Sequence, residues 1–470
     1  MIARRPWLQL SAAALVVLAS HASPAAGAEP PADCEAPPEE RAPDPRCGEA
    51  LDGRPPSDEV SPAVGGARAL LWMPRMASQA VFWPLVETSA VVEGHHVQDW
   101  ITAILTSDDG KVGVRPLLTY ATSFLPTVGV HGFYRRLPGP GSSLDAAVRT
   151  AGPSVILTEL SFATPVTVGL TGNVSWNRRH DRLFAGIGPN SSDDLVAMGQ
   201  GLSRFASDAA RAELRWSRAL PARFGVSVHT DGQKRDYSTQ DVRGGTSIAE
   251  VYGTGNPACA VPSPGTACVD PMEVPGFQNG LRIVHGGASI AWSTRGHDRD
   301  GSGVSASLDA TYGHGVGSDP SRHATFTGEL VGAIGGGDRL FLLRGQAATV
   351  RPLGDAPIPF EELIVPSGYA GMRGFPEGRF RGGSGVVGTA EYRWYIASRL
   401  DASLFTDVGT VSEGQSFSDF RWDRWFPDVG VGLRAYTLSG PHWQGIVGGG
   451  VELAYAPDNG FRLLLALAPF

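Results

Sequence analysis

The sequence predicts an all-β fold, a transmembrane antiparallel β-barrel of about 16 strands with a short N-terminal helical segment ahead of it. Three observations predict it. From Lys111 onward, apolar and polar residues alternate with a period of two. The alternating segments are about ten residues long, enough for a tilted strand to cross the hydrocarbon layer, and carry aromatic residues near their ends. The connections between them alternate between short and long, as in barrels with tight turns at one end and loops at the other.

Residues 1–28 read as a signal peptide. Arg4 and Arg5 form a positive start, an apolar run extends from Trp7 to about Ala19, and Ala26-Gly27-Ala28 supplies a small-residue cleavage site. Residues 29–66 are rich in Pro, Ala and acidic residues, cannot bury a core, and read as a disordered linker. In residues 67–111 the spacing of Leu70, Leu71, Trp72, Met76, Val81, Phe82, Trp83, Val86, Trp100, Ile101 and Leu105 is helical, with Pro74 and Pro84 as interruptions. Two or three short periplasmic helices are expected there, either lying in the membrane interface or packed under the barrel mouth.

Residues 112–470 form the expected barrel. Val166, Val168, Leu170, Val174 and Trp176 alternate with Thr167, Gly169, Thr171, Asn173 and Ser175. Ala212, Leu214 and Trp216 alternate with Arg211, Glu213 and Arg215. The same pattern returns at Val304–Tyr312 and Trp443–Tyr455. A soluble sandwich and a membrane barrel both satisfy such alternation. Strand length, the aromatics at Tyr134, Trp176, Trp216, Trp292, Tyr312, Trp394 and Trp443, and the long connections at about Arg178–Asp208, Asp236–Gln278 and Leu353–Gly383 favour the barrel.

Composition agrees. Charged residues make up 18%, below the roughly 25% of soluble domains, and glycine is high at 61. The net charge of −8 gives no reason to expect a nucleic-acid partner. Cys34 with Cys47 and Cys259 with Cys268 fall in two local pairs flanked by Pro and Gly. In an exported chain such pairs read as small disulfide loops; neither has the companion His or Cys a metal site needs.

The C-terminal third carries a recognisable set of motifs. Met372-Arg373-Gly374-Phe375 stands in the long loop before the last five strands. Thr389-Ala390-Glu391-Tyr392-Arg393, Phe405-Thr406-Asp407-Val408-Gly409 and Val429-Gly430-Val431-Gly432-Leu433-Arg434 follow on successive strands, and the chain ends in Phe470. In order and spacing these resemble the BamA/TamA superfamily of outer-membrane assembly factors, also called bacterial surface antigens. The resemblance is clear over about Leu363–Phe470 and fainter over the rest of the barrel. It implies that Phe470 is the terminal aromatic signal for membrane insertion. The family's usual periplasmic POTRA modules have no counterpart in 67–111, so the chain resembles the short, POTRA-less branch.

Strand alternation points Glu391 and Asp407 into the lumen on neighbouring strands, opposite in parity to Ala390, Tyr392 and Trp394 and to Leu404, Thr406 and Val408. Arg373 lies in a glycine-rich loop long enough to fold inward. Alternation alone leaves open whether it meets the carboxylates; the resemblance implies a buried guanidinium fork between them. Gly374 is expected to allow a positive φ at the loop tip, and Phe375 to wedge against the inner wall.

No G-x-S-x-G, H-E-x-x-H or P-loop pattern occurs. His95, His96 and Asp99 read as polar residues on a solvated face, and Asp298–Gly303 as a strand turn. The expectation is therefore a barrel that is not an enzyme and takes no cofactor or metal. The resemblance implies a monomeric integral protein of the bacterial outer membrane, in contact with outer-membrane lipids including lipopolysaccharide. It would insert or translocate proteins, with unfolded barrels as clients, or lipids. A passive pore or structural barrel is the alternative.

Overall fold

A computed structural model describes residues 105–467 apart from 108, 138, 198–199, 254–273, 296–301, 318, 337–338, 370, 398–399, 413–418 and 438–445. The signal peptide, the linker, nearly all of the helical segment, the four cysteines, His95, His96, Asp99 and Phe470 lie outside the described residues.

Sixteen strands run in sequence, each antiparallel to its neighbours, and close into a barrel. They are β1 (Val112–Ala121), β2 (Thr127–Arg135), β3 (Ser143–Thr150), β4 (Val155–Ala163), β5 (Leu170–Phe184), β6 (Ser203–Leu220), β7 (Phe224–Ser238) and β8 (Leu281–Ser293). Next come β9 (Gly303–Gly315), β10 (Arg322–Gly336), β11 (Arg339–Pro352), β12 (Ser384–Ala397), β13 (Leu400–Val411), β14 (Phe426–Thr437), β15 (Ile446–Ala456) and β16 (Gly460–Leu467). Among the described residues no helix is long and apolar enough to cross a membrane.

The pleat sorts side chains by chemistry. Val128, Val130, Val174, Trp176, Leu214, Trp216, Ile290, Leu308, Tyr312, Leu330, Ile334, Leu343, Val429, Val431 and Leu453 are exposed on the outer surface. Arg215, His229, Asp231, Gln233, His285, Asp309, Gln346, Glu391 and Asp407 are buried inside. A soluble protein would bury the first set; an apolar exterior around a polar interior is stable where lipid replaces water.

Two expectations need correction. The connection expected over Arg178–Asp208 is shorter, because β5 continues to Phe184 and β6 begins at Ser203. Their ends bury Leu183, Phe184 and Phe205, which are packed by loops. Apolar alternation marks only the lipid-facing band and fades where strands extend beyond it. Trp394 is not an exposed aromatic: at 4% exposure it stacks on Tyr392, 5.6 Å between ring centroids, and packs against Ala402.

The long β5–β6, β7–β8 and β11–β12 connections leave the end opposite both termini of the barrel. The β11–β12 connection, 353–383, turns inward. Ile358, Phe360, Leu363 and Ile364 pack with Phe184, Phe205, Tyr252 and Phe277 beneath that end. On another wall, Met372, Phe375 and Phe380 pack with Val387, Val411, Phe426 and Ala456.

Candidate functional site

The inward loop carries its charged residues to two walls of the lumen. On the β12–β15 wall, Arg373 grips Asp407 with two nitrogens, Nε to Oδ2 at 2.8 Å and Nη2 to Oδ1 at 3.1 Å. Its Nη1 donates to Glu391 Oε2 at 2.9 Å and lies 3.5 Å from Glu452 Oε1. The guanidinium carbon sits 3.4 Å from the centroid of the Phe405 ring, stacked as cation on π-face. Such a planar fork suits arginine; a lysine could not chelate one carboxylate while bonding a second.

The loop backbone is held as firmly. Arg373 N donates to Asp407 Oδ2 at 3.2 Å and Gly374 N to Asp428 Oδ2 at 2.8 Å. Arg462 of β16 donates to the carbonyls of Arg373 at 2.7 Å and Phe375 at 2.8 Å, and Asn459 to that of Gly374 at 2.9 Å. The reason for Gly374 differs from the expected one: it is absent from the positive-φ residues, but a Cβ there would lie 2.5 Å from Asp428 Cβ. Close approach to the wall requires the glycine, not backbone handedness. Phe375 is fully buried, its ring 5.1 Å from Phe380 and 6.2 Å from Phe426.

Glu391 accepts from Arg393 as well, and Arg434 bridges Glu391 at 3.1 Å and Glu452 at 3.2 Å. With Arg462, the cluster thus spans β12 to β16. Three of its members, Glu452, Asp428 and Arg462, escaped the sequence reading, and Arg434 figured there only within a strand motif. Glu452 and Arg434 share inward parity with their neighbours, so alternation carried a signal for them. Asp428 and Arg462 act on loop backbone groups, which no side-chain pattern announces.

The second anchor was not anticipated. Glu361, in a single 3-10 turn (Phe360–Glu362), meets Arg182 of β5, Arg235 of β7 at 2.7 Å and Arg381 of the returning loop at 2.8 Å. Burial would raise the Glu361 carboxyl, but the arginines Arg182, Arg381 and Arg235 outweigh it and hold the group down to about 2. Arg182 also reaches Glu377 at 3.3 Å, and Arg379 reaches Asp458 at 2.8 Å. Two charged clasps on different walls therefore keep one loop inside the lumen.

Over the described residues the ladder between β1 and β16 is short. Among the described residues it pairs four positions, Leu118 to Ala121 with Leu467 to Leu464. β1 pairs eight positions with β2, and β16 pairs seven with β15. Thr122 extends the join by one step, exchanging hydrogen bonds with Leu463. A cavity lies on the inner side of this seam, lined by Thr119, Phe124, Tyr369, Glu452, Arg462 and Leu464 among others.

Three solved structures are similar in fold. BamA from Haemophilus ducreyi, in a form lacking POTRA domains 1–3, is 13% identical, with 76% of this chain and 70% of that chain covered and a TM-score of 0.47. CdiB from Acinetobacter baumannii is 13% identical (75% and 59% covered, TM-score 0.45) and CdiB from Escherichia coli 11% identical (76% and 62% covered, TM-score 0.48). The chain thus spans less than two thirds of each CdiB chain. No curated protein matches it. Residues 276–441, from just before β8 to just after β14, match the Omp85 superfamily domain. The stretch includes the inward loop and three of the strands that hold it, so over these residues the chain is similar to the Omp85 superfamily.

Proposed function

We propose that this barrel inserts or translocates client polypeptides at the outer membrane by opening its β1–β16 seam. The observation that carries the reading is the short seam ladder beside an otherwise well-paired barrel. An edge with unpaired N–H and C=O groups is a template for an incoming strand, and membrane lipid offers such a strand no other partner. In this reading Val112–Leu117 of β1, paired only with β2 among the described residues, offers the edge. The inward loop blocks free diffusion through the lumen and keeps the wall in shape while the seam parts. No catalytic residue is required. The termini and the 67–111 segment face the periplasm, the long connections face outward, and outer-membrane lipid surrounds a single barrel. A lipid client would use the same seam.

Depletion of the protein followed by a census of outer-membrane proteins and lipids tests this. Loss of folded barrels or secreted clients is the expected result. An unchanged census, with only altered solute permeability, would replace the assembly reading by that of a passive pore.

A further inference from the structure

On the β8–β10 wall two histidines and one loop carboxylate converge. His285 of β8 and His323 of β10 stand directly across from Gly313 of β9, one on each side. Both point into the lumen and both are buried, His285 at 6% and His323 at 1% exposure. Their rings lie over the glycine: a Cβ at Gly313 would come within 2.6 Å of His323 Nε2 and 2.9 Å of His285 Cδ2. Glu362, next to the Glu361 anchor, reaches them from the loop. Its Oε2 lies 3.3 Å from His285 Nε2 and 3.6 Å from His323 Nε2. One donor atom from each of the three falls within 4.8 Å of the other two.

We propose that His285, His323 and Glu362 form a binding site for a divalent transition cation of the Zn²⁺ class, which fastens the inward loop to the β8–β10 wall. Imidazole nitrogen and carboxylate oxygen are the donors such cations take, with two histidines and one glutamate a known zinc set. Metal–ligand bonds of about 2.0–2.2 Å at tetrahedral angles put neighbouring donor atoms about 3.3–3.5 Å apart, close to the separations between Glu362 and each imidazole. The fourth position is left for water or another small ligand.

The groups behind the donors are arranged for this. Asp231 Oδ2 sits 3.2 Å from His285 Nδ1, which turns Nε2 toward the site, in the carboxylate–histidine arrangement typical of metal ligands. Gln233 donates to Glu362 Oε1 at 2.6 Å, leaving Oε2 for the cation. An imidazolium at His285 held between Asp231 and Glu362 would account for His285, but not for His323. Neither nitrogen of His323 has a hydrogen-bond partner among the described residues, although the side chain is almost completely buried. A buried imidazole with two idle nitrogens is costly, and a cation shared with Glu362 removes half of that cost. No motif announces the site, because the three ligands lie on two strands and a loop, up to 77 residues apart in the chain. The proposal does not depend on the assembly reading.

The test uses the full chain, folded in detergent, with heat-modifiable gel migration as the check of folding. After removal of metal with a chelator, Zn²⁺ is titrated against a chromophoric competitor. One Zn²⁺ per chain is expected, with affinity falling at least about tenfold in His323→Ala and in Glu362→Gln, and unchanged in a His95→Ala/His96→Ala double variant. X-ray absorption of the zinc-loaded wild type should show two imidazoles and oxygen ligands, a readout that stands even if a variant fails to fold. Zinc should also slow proteolysis within 353–383. Failure of the wild type to bind one equivalent, binding unaltered in both single variants, or a shell with sulfur or without paired imidazoles would overturn the proposal.

Discussion

Arg373 bonds three partners of unequal dependence, and that inequality makes a sharper prediction than the presence of an ion pair. Glu391 also has Arg393 and Arg434, and Glu452 also has Arg434. Among the described residues Asp407 keeps only Thr389 Oγ1, at 2.8 Å, as a side-chain donor once Arg373 is gone, and Asp428 stands opposite it in the β13–β14 register. Arg373→Ala should therefore strand chiefly Asp407, at a cost of about 3–5 kcal/mol for a buried pair broken on one side. The temperature of heat-modifiable migration should fall, and Asp407→Asn added to Arg373→Ala should recover part of the loss, whereas Glu391→Gln should not. Arg373→Lys should be intermediate, since an ammonium keeps charge without the fork. Equal stability of Arg373→Ala and wild type would show that the cluster contributes nothing. From sequence, parity sufficed to aim Glu391 and Asp407 inward. Their partner could be named only through the Arg-Gly-Phe resemblance, because alternation says nothing about a loop. The contacts of Arg462 and Asp428 with backbone atoms had no sequence signal at all.

The element that organises the interior is the 353–383 loop, clasped by Glu361 on one wall and Arg373 on another. Strands around it were legible wherever lipid imposes alternation, as at Leu214 and Trp216 against Arg215, and illegible at Arg178–Phe184, where both faces meet protein. The loop's own path was not legible, because Glu361 lies more than a hundred residues from both Arg182 and Arg235 and pairs with them only after closure. A pH prediction belongs to this element. The Glu361 carboxyl is held at about 2, below its ordinary 4.5, so its contribution is fully present above about 4.5 and is lost as pH falls toward 2. Between pH 6 and pH 2.5 the wild type should lose more thermal stability than Glu361→Gln, which has no carboxyl to titrate. Protease access to 353–383 should rise over the same range in the wild type. Parallel pH profiles for the two proteins would remove Glu361 as the loop's acid-sensitive clasp.

At the scale of the whole molecule, closure and opening compete. Fifteen of the sixteen strand junctions join neighbours in sequence, while the sixteenth joins β1 to β16 across the entire chain. Among the described residues that junction rests on four paired positions and the Thr122–Leu463 bonds. With fewer ladder bonds than its neighbours, it should open first when the barrel is stressed, since each hydrogen bond contributes about 1 kcal/mol net and more where water is excluded. The proposed activity needs that opening, so fixing the seam should abolish function without unfolding the barrel. Thr119 and Ala466 face each other across the ladder and both point inward, where a disulfide would not disturb the lipid face. The pair Thr119→Cys and Ala466→Cys, oxidised, is expected to fold, to resist heat at least as well as wild type, and to restore less than about a tenth of the outer-membrane proteins lost on depletion. Reductant should return activity to near wild type, and each single-cysteine variant, which controls for mispairing with the native cysteines, should complement fully. Full complementation by the oxidised pair would mean that clients do not pass through the seam and would leave the closed, loop-filled barrel as the working state.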